Sequence, residues 1–151
     1  MGLVRFIAGG FSRCSRRFST SPSPGEDPRH WLGRRGETLA ARYLRRHGYK
    51  VLARNFRPPG GGEVDLVCRD GAELVFVEIK TRRSERWAAP ADAVDLQKQE
   101  LLARGALAWL RLLDRPEVVF RFDIVEVLVE PAGETIRLWR SAFSLPERYR
   151  V

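Results

Sequence analysis

The sequence predicts an α/β domain in which one mixed sheet is flanked by helices, with the elements in the order αβββαββ. Three observations predict it. Apolar residues recur at helical spacing over about 30–47 and again over about 92–113. Between those segments lie three short runs rich in Val, Leu and Phe, broken by Gly-, Pro- and Asp-containing turns. Two more such runs follow the second helical segment. The 151 residues suffice for one compact domain and one hydrophobic core, and the 44% apolar content is ordinary for a globular chain.

The first helix takes Leu32, Leu39, Ala40, Tyr43 and Leu44 as its apolar stripe and stops at Gly48. Tyr49 to Phe56 reads as a strand, ended by Arg57-Pro58-Pro59-Gly60-Gly61-Gly62. A second strand covers about 63–69 and a third about 73–81, joined through Asp70-Gly71, a strong hairpin signal. The long helix buries Val94, Leu101, Leu102, Ala108, Trp109 and Leu112. Val118 to Val129 is a strand, Pro131-Ala132-Gly133 a turn, and about 135–140 the last strand. The closing segment 141–151 reads as ordered coil.

Residues 1–28 stand apart from the domain at 29–151. Met1 to Thr20 carries four arginines, several serines and no acid, and Ser-Pro-Ser-Pro-Gly follows. On a helical wheel Leu3, Val4, Ile7, Phe11, Cys14 and Phe18 share one side. Two readings stay open: a disordered basic extension, or an organellar transit peptide or membrane-surface helix. Gly9-Gly10 weakens the helical one. Cys14 and Cys68 form no metal or disulfide framework, which suits a reducing, cytoplasmic setting, with an organelle as the alternative. No stretch reaches the length of a membrane span.

A net charge of +8, carried by 24 Arg and 3 Lys, points to an anionic partner, and nucleic acid fits it best. The guanidinium fork matches phosphate oxygens, although a GC-rich genome also enriches Arg. A P-loop and a nucleophile elbow are both missing from the sequence, which argues against a nucleotide-hydrolysing P-loop protein and a serine hydrolase. His30 and His47 lack metal-ligand spacing.

The chemistry concentrates in Gly62-Glu63-Val64-Asp65-Leu66-Val67 and Phe76-Val77-Glu78-Ile79-Lys80. Side chains alternate along strands, so Glu63, Asp65 and Val67 share one face, and Leu74, Phe76, Glu78 and Lys80 share another. A hairpin loop of two or four residues puts both sets on the same side of the sheet; a loop of three puts them on opposite sides. With the even loop, Asp65 lies within about 4.5–8 Å of Glu78. Two carboxylates in apolar strands require compensation, and Mg²⁺ or Mn²⁺ supplies it with oxygen ligands and retained waters. Such an ion binds a scissile phosphate and activates water, while Lys80 orients that water or stabilises the pentavalent phosphorane.

Other residues are open to two readings. Glu37, on the flank of the first helix's stripe, is a further ligand or a solvated helix acid. Gln97 and Lys98, in the first turns of the long helix, touch phosphate or form an ordinary polar face. Arg82, Arg83 and Arg86, with Trp87 beside them, hold backbone phosphates and stack on a base, or form a solvated loop.

Together Gly36-Glu37-x-x-Ala40, Gly48-Tyr49, Arg54-Asn55, Gly62 to Val67, Val75 to Lys80, Arg82, Lys98 and Arg121-Phe122-Asp123-Ile124-Val125 resemble the YraN-like bacterial proteins over about residues 30–150. That group is assigned to the restriction-endonuclease-like, PD-(D/E)xK, nuclease superfamily, whose core is an αβββαβ sheet domain. Its nearest nuclease relatives include archaeal Holliday-junction resolvases. The resemblance implies Glu37, Asp65 and Glu78 as metal ligands, Lys80 as catalytic lysine, and Gln97 or Lys98 as a helper. It favours a metal-dependent endonuclease on DNA, with branched or damaged structures as substrates and, by analogy with two-fold junctions, a homodimer. The competing readings are a non-catalytic nucleic-acid-binding module on a nuclease fold and, more weakly, a protein-interaction adaptor.

Overall fold

A computed structural model describes residues 21–83, 94–114 and 117–150. Helix α1 (Pro28–Arg46) starts where Asp27 accepts a hydrogen bond from the Arg29 amide at 2.7 Å, with Pro28 in the first helical position. That Asp-Pro cap sets the start two residues before the expected one at about residue 30. Arg45 and Arg46 complement the dipole in the last turn.

Strands β1 (Lys50–Phe56), β2 (Val64–Asp70) and β3 (Glu73–Arg82) form an antiparallel meander. Helix α2 (Leu96–Leu112) then crosses over, so that β4 (Phe120–Glu130) pairs parallel to β3. β5 (Gly133–Phe143) turns back antiparallel on β4, giving the sheet order β1-β2-β3-β4-β5. A single 3₁₀ turn, Glu147–Tyr149, follows. The fold is thus α/β, with, among the described residues, a five-stranded mixed sheet and one helix on each face, consistent with a restriction-endonuclease-like core.

Two apolar layers explain why the central strands read as continuous hydrophobic runs. Leu39, Tyr43 and Leu44 of α1 pack on Leu66, Cys68, Val75, Val77, Val125 and Val127. Leu102, Ala106 and Leu110 of α2 pack on Val67, Phe76, Phe122 and Ile124. Alternate residues of one strand therefore serve different helices. Cys68 is a fully buried core thiol, pushed by that burial up to about 12.

The strands are pinned at the hairpin end by a polar network. Arg121 donates to Asp70 (2.7 Å), to the Tyr49 hydroxyl (3.1 Å), to Asp123 (3.1 Å) and to Glu73. Asp123 also accepts from the Ser141 amide at 2.9 Å. Burial pushes the Asp123 carboxyl upward, against the pull of these bonds. This is the work of the Arg121-Phe122-Asp123 motif: it ties the starts of β1, β3 and β4 to the far end of β5.

Candidate active site

At the other end of the same strands the acids converge. Asp70 pairs with Glu73 across a two-residue loop, Gly71-Ala72, so the loop is even and the two faces coincide. Gly71 supplies the positive φ (59°) that such a tight turn needs. Val67 pairs with Phe76 and Leu66 with Val77, where the register ends. Continued by one step, it sets Asp65 against Glu78. There the Asp65 carboxylate accepts the Ile79 amide at 2.8 Å.

A cavity of about 460 Å³ opens at this point. It is lined by Arg29, Leu32, Gly33 and Glu37 of α1, Asp65 of β2, Glu78 to Thr81 of β3, and Lys98 of α2. Close backbone approach builds it. A Cβ on Gly36 would overlap the Thr81 side chain, so only glycine lets α1 lie this near β3 and bring Glu37 to the cavity. Glu37 is oriented by Asn55, whose amide donates to Oε2 at 3.1 Å. Asn55 holds a left-handed backbone (φ 48°) at the end of the edge strand, a conformation that asparagine tolerates better than most residues.

On the opposite face a Cβ on Gly62 would come within 2.5 Å of the Gly105 nitrogen of α2. The neighbouring Glu63 amide donates to Leu101 O at 3.1 Å. This contact sets Glu63 beside Lys98, whose Nζ lies 3.5 Å from Glu63 Oε2 and 3.4 Å from Glu78 Oε2. Arg57 clamps Glu63 from the other side at 2.7 Å and, with Lys98, holds its carboxyl below the ordinary range.

Glu78 is the electrostatic centre. Its side chain is 3% exposed. Lys80 Nζ lies 3.1 Å from Oε1, while Oε2 is buried and accepts no hydrogen bond despite the nearby Lys98. Burial, then the Asp65 charge, pushes its carboxyl up to about 7, opposed by Lys98 and Lys80. Burial alone would lower the Lys98 ammonium, but Glu78, Asp65 and Glu63 outweigh it and the net direction is upward. Two ammoniums therefore stand beside Glu78 where a cation is called for.

The donor set is oxygen only, which fits a hard divalent cation better than a thiophilic one. Asp65 and Glu78 are the residues that could hold one, Glu78 through Oε2, which has no hydrogen-bond partner. Glu37 lines the same cavity, yet among the described residues no three His, Cys, Asp or Glu side chains converge into a ready metal cage.

The remaining expected residues fall unevenly. Lys98 faces the cavity, whereas Gln97, one residue earlier and so about 100° around the helix, is exposed and does not line it. Arg82 is half-buried; Arg83 is exposed and lays its guanidinium over Trp31, 5.4 Å from the ring centroid. Arg86 and Trp87 lie outside the described residues. Asn55, Glu63, Gly36 and Gly105 enter the site's construction although the sequence reading gave them no role. Apart from Arg57, six residues from Glu63, their partners are 18 to 45 residues away, and Arg54-Asn55 and Gly62-Glu63 stood out only as motifs.

The sequence pattern of Uncharacterised protein family UPF0102 matches residues 36–127, from the close-approach glycine through β4. The chain belongs to this family. A UPF0102 protein of Geobacter sulfurreducens is 46% identical over 115 residues, 76% of this chain and 89% of that one. One from Geobacter metallireducens is 43% identical over 114 residues, 76% of this chain and 93% of its own. A UPF0102 protein of Nocardia farcinica is 47% identical over 105 residues, 70% of this chain and 82% of the relative. This is the YraN-like family that the motifs resembled.

Proposed function

We propose that this UPF0102 protein is a Mg²⁺- or Mn²⁺-dependent endonuclease acting on DNA, with branched or damaged structures as its substrates. The observation that carries this reading is the buried Glu78 carboxylate, faced by Asp65 and flanked by Lys80 and Lys98 in one open cavity. A structural ion pair would need one ammonium, and it would not need a cavity. A bound divalent cation supplies neutralisation of the phosphate and a more acidic water.

The chain's own residues do the rest. Asp65 is oriented by the Ile79 amide and Glu37 by Asn55, so both present fixed oxygens to the cavity. Lys98, released from Glu78 when its charge is otherwise met, faces the phosphate oxygens on which negative charge grows, and Lys80 assists the attacking water. Arg82 and Arg83, at the end of β3, hold the backbone of the strand being cut together with Arg86, and Trp87 stacks on a base. The cysteine usage suits the cytoplasm, and among the described residues no helix is long and apolar enough to cross a membrane. A two-fold junction substrate calls for a homodimer, which would present two such cavities.

The test is a cleavage panel of single-stranded, duplex, flapped and four-way-junction DNA, plus RNA, with Mn²⁺, Mg²⁺ or EDTA. Metal-dependent cutting of DNA that Lys80→Ala abolishes is the expected result. One observation favours a second reading, a non-catalytic nucleic-acid-binding module: both ammoniums are already paired with Glu78 and, among the described residues, no ligand cage is preformed. Tight, salt-sensitive binding without cutting by either protein would establish that module instead.

A further inference from the structure

A second acid lies on the same face of the sheet, beside Lys80. Glu126, in β4, is 1% exposed. Its Oε2 accepts the Trp139 indole N–H at 3.0 Å, and its Oε1 is buried with no hydrogen-bond partner. Alternation puts Glu126 in line with Phe122 and Ile124, which pack on the α2 side, and Lys80 in line with Phe76 on that side. Register sets Glu126 directly across from Lys80 on β3 and from Arg137 on β5. Arg137 is drawn over the Trp139 ring, 5.5 Å from its centroid, and no ion pair reaches Glu126 among the described residues.

A buried carboxylate with one orphaned oxygen is costly unless something meets it in another state. Lys80 is the flexible neighbour that can do so. Its ammonium now sits 3.1 Å from Glu78 Oε1, so a divalent cation on either oxygen of that carboxylate is a like charge close by and repels it. Adjacent strands run about 4.8 Å apart, well within the sweep of a four-carbon stem.

We propose that Glu126 is the second anchor of Lys80: when a divalent cation takes Glu78, the ammonium moves across to Glu126 Oε1. Glu126 is a positioning residue that acts through Lys80 and touches neither metal nor substrate. It holds the lysine off the metal ligands and aligned along the β3–β4 face. The inference rests on the proposed metal site.

A double-mutant cycle tests it, reading the affinity of the full chain for Mn²⁺ alone by calorimetry. Glu126→Gln keeps the acceptor for Trp139 and removes the anchor. Lys80 then has no second partner and competes for Glu78. Mn²⁺ binding should weaken on the order of tenfold by this change in the otherwise unaltered chain, and less than about twofold when Lys80→Met has removed the competitor. A purely structural or long-range field role predicts the same loss in both backgrounds, and that result overturns the proposal, as does no loss in either. If the unaltered chain binds no Mn²⁺, the metal reading itself falls and takes the proposal with it. Should the amide variant fail to fold, Glu126→Met serves in its place, since apolar replacement of a buried charge is commonly tolerated.

Discussion

At the scale of single residues, Glu78 sets the behaviour that can be measured without a substrate. Its folded pKa, about 7, lies above the ordinary value of 4.5. Between those values the folded protein holds a proton that the unfolded chain has lost, so stability falls as pH rises from about 4.5 to about 7. The Glu78 charge thus costs stability above pH 7, and Glu78→Gln should stabilise the protein there by about 1–3 kcal/mol. The gain should vanish near pH 4.5, and melting curves across pH 4–8 would show it; a variant equally destabilised at every pH would refute the assignment. Asn55→Ala should loosen Glu37 and strain the positive-φ position, whereas Asn55→Gly relieves the strain and still loses the hydrogen bond. Metal affinity lowered in both, with the melting temperature lowered more in the alanine variant, is the expected pattern. Asp65, Glu78 and Lys80 were legible at this scale because strand alternation and an even hairpin loop place them by counting. Asn55 and Glu126 were not, since their partners, Glu37 and Trp139, meet them only through tertiary packing.

At the scale of elements, two helices are held against the sheet by missing side chains. Gly36 admits Thr81, and Gly105 admits Gly62 and Val64. Gly36→Ala should push α1 off β3, costing about 1–3 kcal/mol by overpacking, and should move Glu37 away from Asp65. Thermal unfolding and Mn²⁺ affinity should fall together; an unchanged affinity would mean that Glu37 does not serve the metal. The described helices and strands were legible from apolar period and turn chemistry, but the 3₁₀ turn Glu147–Tyr149, expected as coil, was not, and the edges were less so. α1 begins at Pro28 because Asp27 caps it, and β5 runs over Gly133–Phe143, longer than its short apolar centre suggests. Its outer residues are held by register with β4 and by the Asp123–Ser141 bond, which lie outside any local pattern.

At the scale of the whole molecule, the sheet separates two polar ends: the Arg121 network, which closes the hairpin end, and the open cavity, which collects the acids. The chain carries a net charge of +8 and a cavity that holds Glu37, Asp65 and Glu78, a combination that favours a polyanion delivered to a cation. DNA affinity should fall steeply with salt, and losing both Arg82 and Arg83 to Ala should shallow the log–log slope by about 2, roughly one for each phosphate contact. A salt slope unmoved by the pair would remove the end of β3 from the binding track. Composition set only the expected sign of a partner, and the sequence could not reveal that Lys80 and Lys98 converge on one carboxylate from β3 and α2.

The most direct test of the central claim is equilibrium Mn²⁺ binding, followed by electron paramagnetic resonance of the free ion, for the unaltered chain and for Asp65→Asn. The account predicts one Mn²⁺ per chain, displaced by Mg²⁺ and lost in the variant. Binding that survives Asp65→Asn unchanged, or no binding by the unaltered chain, would contradict it.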